Sequence, residues 1–247
     1  INDGSASVSQ VVSLDDLTTG VVTATITEGD LSTLSSLTDD NNNNVYTVTI
    51  TDASVAAATI STIHAKNVGG TFAFHNDVAT VTGTAAAVIT AYSQIDSGKG
   101  DEAITINDGS VSVSQARSLN ALTTGVVTGT ITAGTRISAM LHADTGITET
   151  GGSNAYTITV HSDDATATAA NLTSLNALTT VNVDAGEVTT VTGSISQVQT
   201  LYGNAGVSNL GNEAITVNDT GSVAAADLTT VGDYSTGTVT ASGVETI

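Results

Sequence analysis

Short runs along the chain alternate apolar residues with threonine: Val22-Thr23-Ala24-Thr25-Ile26, Tyr46-Thr47-Val48-Thr49-Ile50, Ile104-Thr105-Ile106, Val127-Thr128-Gly129-Thr130-Ile131, Tyr156-Thr157-Ile158-Thr159-Val160 and Ile215-Thr216-Val217. A period of two in β-branched residues predicts strands with one buried and one wet face. Between the runs, apolar positions step by three. Counted from Asp3, Val11, Leu14 and Leu17 stand at +8, +11 and +14. Ala116, Leu119 and Leu122 take those places from Asp108, and Leu172, Leu175 and Leu178 from Asp164, while Ile60 and Ile63 take the first two from Asp52. A plainer set follows Gly29 (Leu31, Leu34, Leu37), Gly83 (Val88, Tyr92) and Gly193 (Val198, Tyr202). This spacing predicts short amphipathic helices. Gly20, Gly125 and Gly237 are placed to close three of them.

The pattern recurs on a longer scale. Ile1-Asn2-Asp3-Gly4-Ser5 returns as Ile106-Asn107-Asp108-Gly109-Ser110 and, with one insertion, as Val217-Asn218-Asp219-Thr220-Gly221-Ser222, giving periods of 105 and 111 residues. Leu17-Thr18-Thr19-Gly20-Val21-Val22-Thr23 likewise matches Leu122 to Thr128, and Val81-Thr82-Gly83 through Tyr92 matches Val191 through Tyr202. Strand-like runs recur at about a quarter of that length, which predicts coils of about 26 to 28 residues, four per long repeat. The expected fold is a right-handed parallel β/α solenoid, one strand plus one short helix per coil. Residues 1–105 form a first four-coil repeat, 106–216 a second and 217–247 the start of a third, in one continuous array. With no initiator Met and no polar cap at either end, the chain reads as an excerpt of a longer array.

Composition agrees with thin layers. The 247 residues include two Phe, five Tyr and no Trp, Pro or Cys, so the core is expected to be small aliphatics. Without cysteine there is no disulfide framework or thiolate site. Twenty-four acidic residues against four basic ones give a formal charge of −20, which argues against nucleic acid and suits salty extracellular water, where self-repulsion is screened. No apolar run approaches the roughly 20 residues that span a bilayer, so no membrane insertion is expected.

The candidate chemistry is sparse. Asp3, Asp52, Asp108, Asp164 and Asp219 occupy one equivalent strand-to-helix corner, where stacked carboxylates with nearby carbonyls suit Ca²⁺. The alternative is that they cap helix amides. They recur only at every second coil, about 10 Å apart, too far to share one ion, and no cofactor is required. The pairs Thr23/Thr25, Thr47/Thr49, Thr128/Thr130 and Thr157/Thr159 form a second candidate, a hydroxyl face similar to the ice-binding faces of β-solenoid antifreeze proteins. Lys66, Lys99, Arg117 and Arg136 are scattered, and His64, His75, His142 and His161 show no shared spacing or partner motif. No cluster of acid, base and charge stabiliser emerges, so no enzyme is expected. The stretches 41–44 and 148–153 read as variable polar loops on one edge.

The combination of Leu-Thr-Thr-Gly-Val-Val-Thr, Val-Thr-Gly-Thr-Ala-Ala-Ala-Val-Ile-Thr-Ala-Tyr and Asn-Glu-Ala-Ile-Thr-Val resembles repeats of very large, secreted cell-surface proteins of marine cyanobacteria, over essentially the whole chain. The resemblance implies a surface role as spacer or scaffold, partnered by neighbouring repeats of the same protein in a filament or surface layer. An adhesin or virus tail-fibre segment is the alternative, and it implies no catalytic residue.

Overall fold

A computed structural model of the chain describes residues 4–38, 44–67, 69–107, 109–148 and 154–246. Strands and short helices alternate throughout. The first stretch runs β1 (Ser5–Ala6), α1 (Val8–Asp15), β2 (Thr23–Ile26), α2 (Leu31–Leu34), β3 (Val45–Ile50), β4 (Ser54–Ala56) and α3 (Ala57–His64). It continues through β5 (Thr71–Phe74), β6 (Thr80–Gly83), α4 (Ala85–Gln94), β7 (Ala103–Ile106), α5 (Val113–Asn120) and β8 (Val127–Thr130). Then come α6 (Ile137–Met140), β9 (Ala155–Thr157), β10 (Thr166–Thr168), α7 (Ala169–Asn176), β11 (Val183–Asp184), β12 (Thr190–Gly193) and α8 (Ile195–Tyr202). The last elements are β13 (Val207–Ser208), β14 (Ala214–Val217), β15 (Gly221–Ser222), α9 (Ala225–Gly232), β16 (Val239–Thr240) and β17 (Val244–Thr246). The helices α1, α5 and α9 open at Val8, Val113 and Ala225, with three helices between each pair.

Two compact units divide the chain: Ile1–Gly109 with Ser118–Thr128 and Thr150–Gly152, and Ser110–Arg117 with Gly129–Glu149 and Ser153–Ile247. In the first, β1, β2, β3 and β5 form one parallel sheet and β4, β6, β7 and β8 pair in parallel in another. The second holds the parallel sheet β10-β12-β14-β16 and the parallel pairs β11-β13 and β15-β17. Partner residues are mostly 24 apart, as at Thr47 and Thr71 or Thr166 and Thr190. The result is a parallel β/α fold.

Most segments depart from one strand per helix. A second strand, such as β4, β6, β10 or β12, follows a corner and leads straight into the helix. These strands are short, and their single inward valine or alanine (Val55, Val81, Ala167, Val191) is too little for a period-two pattern to show.

The core follows the sequence register at +8 and in part at +11, whereas at +14 Leu122 and Leu178 are only half-buried, and Leu14 (+11) and Leu17 (+14) are exposed. Val11, Ile60, Ala116 and Leu172 at +8 are fully buried, as are Ile63, Leu119 and Leu175 at +11. Aliphatics dominate, but Tyr46, Tyr92, Tyr156 and Phe72 are also wholly enclosed and Phe74 is buried, so most of the few aromatics are core residues. The expected glycine helix closures are absent. The helix α1 ends at Asp16 in right-handed backbone, and Gly20, Gly125 and Gly237 do not have positive φ. Close approach is what requires two of them: a Cβ on Gly125 would lie 2.5 Å from the Glu102 carbonyl oxygen, and one on Gly237 would lie 2.2 Å from that of Glu213.

Candidate functional site

The corner carboxylates serve the helix of the preceding segment, not the helix that follows them. The first amides of an α-helix have no partner within it and sit at the positive end of its dipole. Asp52 Oδ2 accepts the Leu31 amide at 2.7 Å, Asp164 Oδ2 the Ile137 amide at 2.8 Å and Asp219 Oδ2 the Ile195 amide at 2.7 Å. These amides open α2, α6 and α8. Glu28, absent from the sequence expectation, does the same for Val8 of α1 at 3.1 Å. Position one of these four helices is thus held by the next segment, while Ser7 and Ser194 close capping boxes locally. Asp3 and Asp108 lie outside the described residues.

Three further side chains, Asn44, Asn67 and Asp96, each tie one segment to the preceding one. Asn44 Oδ1 accepts the Val22 amide at 2.9 Å, while its Nδ2 donates to Asp15 Oδ1 at 2.9 Å. Asn67 brackets Tyr46, accepting its amide at 2.6 Å and donating to its carbonyl at 2.8 Å. Asp96 accepts the Phe72 amide at 2.8 Å. Asn44 and Asn67 are fully buried, so Asn44 is a structural bridge and not the loop filler its sequence suggests. Residues 41–43 and 149–153 fall outside the described residues.

A third device is a paired hydroxyl clip. Thr123 Oγ1 donates to the Glu102 carbonyl at 2.7 Å, and the Thr124 amide donates to the Gly100 carbonyl at 2.7 Å. Ser235 and Thr236 repeat this on Glu213 and Gly211 at 2.6 and 2.8 Å, and Thr179 and Thr180 on Tyr156 and Asn154 at 2.6 and 2.8 Å. Beside the first two clips lie buried carboxylates. Glu102 Oε2 accepts the Tyr92 hydroxyl at 2.8 Å and the Gly100 amide at 2.9 Å. Glu213 accepts the Tyr202 hydroxyl on one oxygen and the Gly211 and Asn212 amides, at 2.7 and 3.0 Å, on the other. Burial, with the Glu102 charge beside it, pushes the Tyr92 phenol well above the ordinary tyrosine range.

No protein family, curated protein or solved structure matches the chain. Its geometry is therefore read on its own terms.

All four cations bond to the chain itself. Lys66 Nζ donates to the Ser35 carbonyl at 2.7 Å, Lys99 to those of Tyr92 and Ile95, and Arg117 to that of Gly146 at 3.2 Å. Arg136 pairs with Asp163 at 2.7 Å and Asp164 at 3.8 Å. The histidines do share a motif that the sequence reading missed: in His75-Asn76-Asp77, His142-Ala143-Asp144 and His161-Ser162-Asp163, the Asp amide donates back to His Nδ1 at 3.2 to 3.3 Å. His64 instead lies against Phe72, ring centroids 5.3 Å apart. Among the described residues, no group of three or more His, Asp or Glu is placed to hold a metal ion, and no helix is long and apolar enough to cross a membrane.

The threonine face forms in-register rows. Ser5, Thr25, Thr47 and Thr71 are partners across β1, β2, β3 and β5, all exposed, with the Thr47 and Thr71 hydroxyls 3.4 Å apart. The flanking rows are interrupted, by Val45 opposite Thr23 and by Ala73 opposite Thr49.

Proposed function

We propose that this chain is a non-catalytic structural repeat segment of a giant extracellular or cell-surface protein or filament, an elongated spacer built as a right-handed parallel β/α solenoid. One observation carries the reading: side chains with strong hydrogen-bonding capacity are directed at the backbone of the neighbouring segment. Asp52, Asp164, Asp219 and Glu28 hold preceding helices, and Asn44, Asn67 and Asp96 hold preceding strands. A repeat array needs this kind of contact, because each unit is stabilised only by its neighbours. Placement at the cell surface rests on the acidic, lysine-poor composition and on the repeat motifs.

The test is length. Duplicating residues 106–216 in place adds four coils, which lengthens a solenoid by about 19 Å at one strand spacing per coil. Small-angle scattering should show the maximum dimension growing by that amount at a constant cross-section. Growth in all directions would sink the solenoid reading.

A further inference from the structure

At one corner of the second long repeat the chain is two residues longer than at the counterpart in the first: Val160-His161-Ser162-Asp163-Asp164 stands where Ile50-Thr51-Asp52 stands. The longer corner leaves a cavity. In the first repeat the space is filled, since a Cβ added to Gly29 would lie 2.5 Å from the Thr51 methyl. At the counterpart Gly134 the nearest atoms to an added Cβ are Cδ2 and Nε2 of His161, at 3.8 and 3.9 Å. The cavity measures about 260 Å³ and is lined also by Ala133, Thr159, Ser162 and Glu187. Its wall is anchored: Arg136 bonds the Asp163 carboxylate at 2.7 Å and the Asp163 carbonyl at 3.2 Å, and Asp164 accepts the Ile137 amide at 2.8 Å. Where Asp52, Asp164 and Asp219 hold the backbone of a neighbouring segment, Thr159, Ser162 and Glu187 are exposed and their side chains make no hydrogen bond among the described residues. His161 Nδ1 accepts the Asp163 amide at 3.2 Å, so the neutral ring carries its proton on Nε2, the nitrogen beside Gly134.

We infer that this cavity binds a neutral sugar unit through its hydroxyls. The polar groups select the ligand class. An imidazole that presents Nε2–H is a donor, so it neither ligates a metal ion nor accepts from an ammonium group. The Glu187 carboxylate accepts only, and with Asp163 and Asp164 close by it disfavours an anion. Thr159 and Ser162 can donate and accept. The complement of a fixed donor, a fixed acceptor and two hydroxyls is an uncharged group with donors and acceptors on adjacent atoms, which is the vicinal diol of a pyranose. Ala133 and Gly134 supply an apolar part of the wall for the C–H groups of the ring. The cavity is shallow and takes one sugar unit, so the affinity is millimolar. This site goes beyond the spacer role and does not depend on it.

The experiment titrates the full chain, labelled with nitrogen-15, with the methyl α-pyranosides of glucose, galactose and mannose, and separately with ethylammonium chloride and calcium chloride. At least one glycoside should shift the amide signals of Gly134, Ser162 and Glu187 saturably, while those of the filled corner at Gly29 and Thr51 stay put. Glu187→Gln and His161→Asn should each weaken that binding by about tenfold or more. Asn keeps an acceptor for the Asp163 amide at a capping position, so both variants should hold Tm within about 2 °C of the parent. Ser162→Ala, at an exposed position outside the bonds that anchor the turn, is the second variant and should weaken binding by about threefold or more. Three results overturn the inference: no saturable shift with any of the three glycosides, saturation by ethylammonium or Ca²⁺ alone, which would make this a cation site, or glycoside binding that survives all three substitutions.

Discussion

The Tyr92–Glu102 and Tyr202–Glu213 corners occupy the same place in successive repeats and solve one problem to different degrees. Both bury a carboxylate behind a strand. Glu213 divides three donors between its two oxygens, whereas Glu102 takes both of its donors on Oε2 and leaves Oε1 buried without a partner. The second donor amide at Glu213 comes from Asn212, where the first repeat has Asp101. The lesson is that the repeat preserves the role of the carboxylate, as an acceptor for a helix tyrosine and a tight loop, while its satisfaction varies with local geometry. An unpaired buried acceptor is costly and a buried donor without its acceptor is costlier still.

Removing the carboxylates should separate the corners most. Glu213→Ala strands three donors and should cost about 3 kcal/mol, against about 2 for Glu102→Ala, which strands two. Urea denaturation of both variants checks this. Equal losses would mean that donor count is not what distinguishes them.

The order should reverse when the hydroxyl is removed. Tyr92→Phe leaves Glu102 with only the Gly100 amide and should cost about 2 kcal/mol, while Tyr202→Phe leaves Glu213 two amides and should cost about 1. The crossing of the two series is more informative than either magnitude, because a general difference in local stability would move both substitutions in the same direction.

Neither corner was visible as such in the sequence, and the reason is physical. Alternation and three-residue steps report which side chains are buried, so the strands at Tyr46, Ile104 and Ile215 and the helix positions at Ile60, Leu119 and Leu172 were legible. What a polar side chain bonds to is set by backbone carbonyls and amides of a neighbouring segment, which carry no sequence signature. Asp52, Asp164 and Asp219 were therefore recognised as one equivalent set, but the helix they serve is the preceding one. Gly125 was read as a helix closure although it is a contact residue. The Thr-Thr clip was seen as a landmark with no role. The His-x-Asp turns were legible in principle, since the motif is local, although no ligand spacing connects them across the chain.

Alkali should sharpen the comparison at the first corner. The folded-state phenol of Tyr92 is raised, so the folded chain keeps a proton that the unfolded chain loses near pH 10. The stability this represents is fully present below the unfolded value and is lost as pH rises above it, with a slope of at most about 1.4 kcal/mol per pH unit for one group. Tyr92→Phe should flatten that slope in denaturation series taken above pH 10. An unchanged slope would show that Tyr92 ionises as freely in the folded chain as in the unfolded one.

The smallest effect belongs to a contact that only the second corner has. Tyr202 stacks on Tyr234, ring centroids 4.9 Å apart and planes within 5°, and both rings are half-buried. Tyr234 stands in the clip where Leu17, Leu122 and Leu178 stand in the others. Tyr234→Leu restores that residue, keeps most of the apolar cover and removes the ring pair, so the cost should be about 1 kcal/mol. In a double-mutant cycle with Tyr202→Phe, which keeps a ring but loses the hydroxyl, the two effects should add to within about 0.5 kcal/mol if stacking and the Glu213 bond act separately. A larger coupling would mean that Tyr234 holds the Tyr202 hydroxyl in place, and that the second corner owes its fuller satisfaction to the stack as well as to the extra amide.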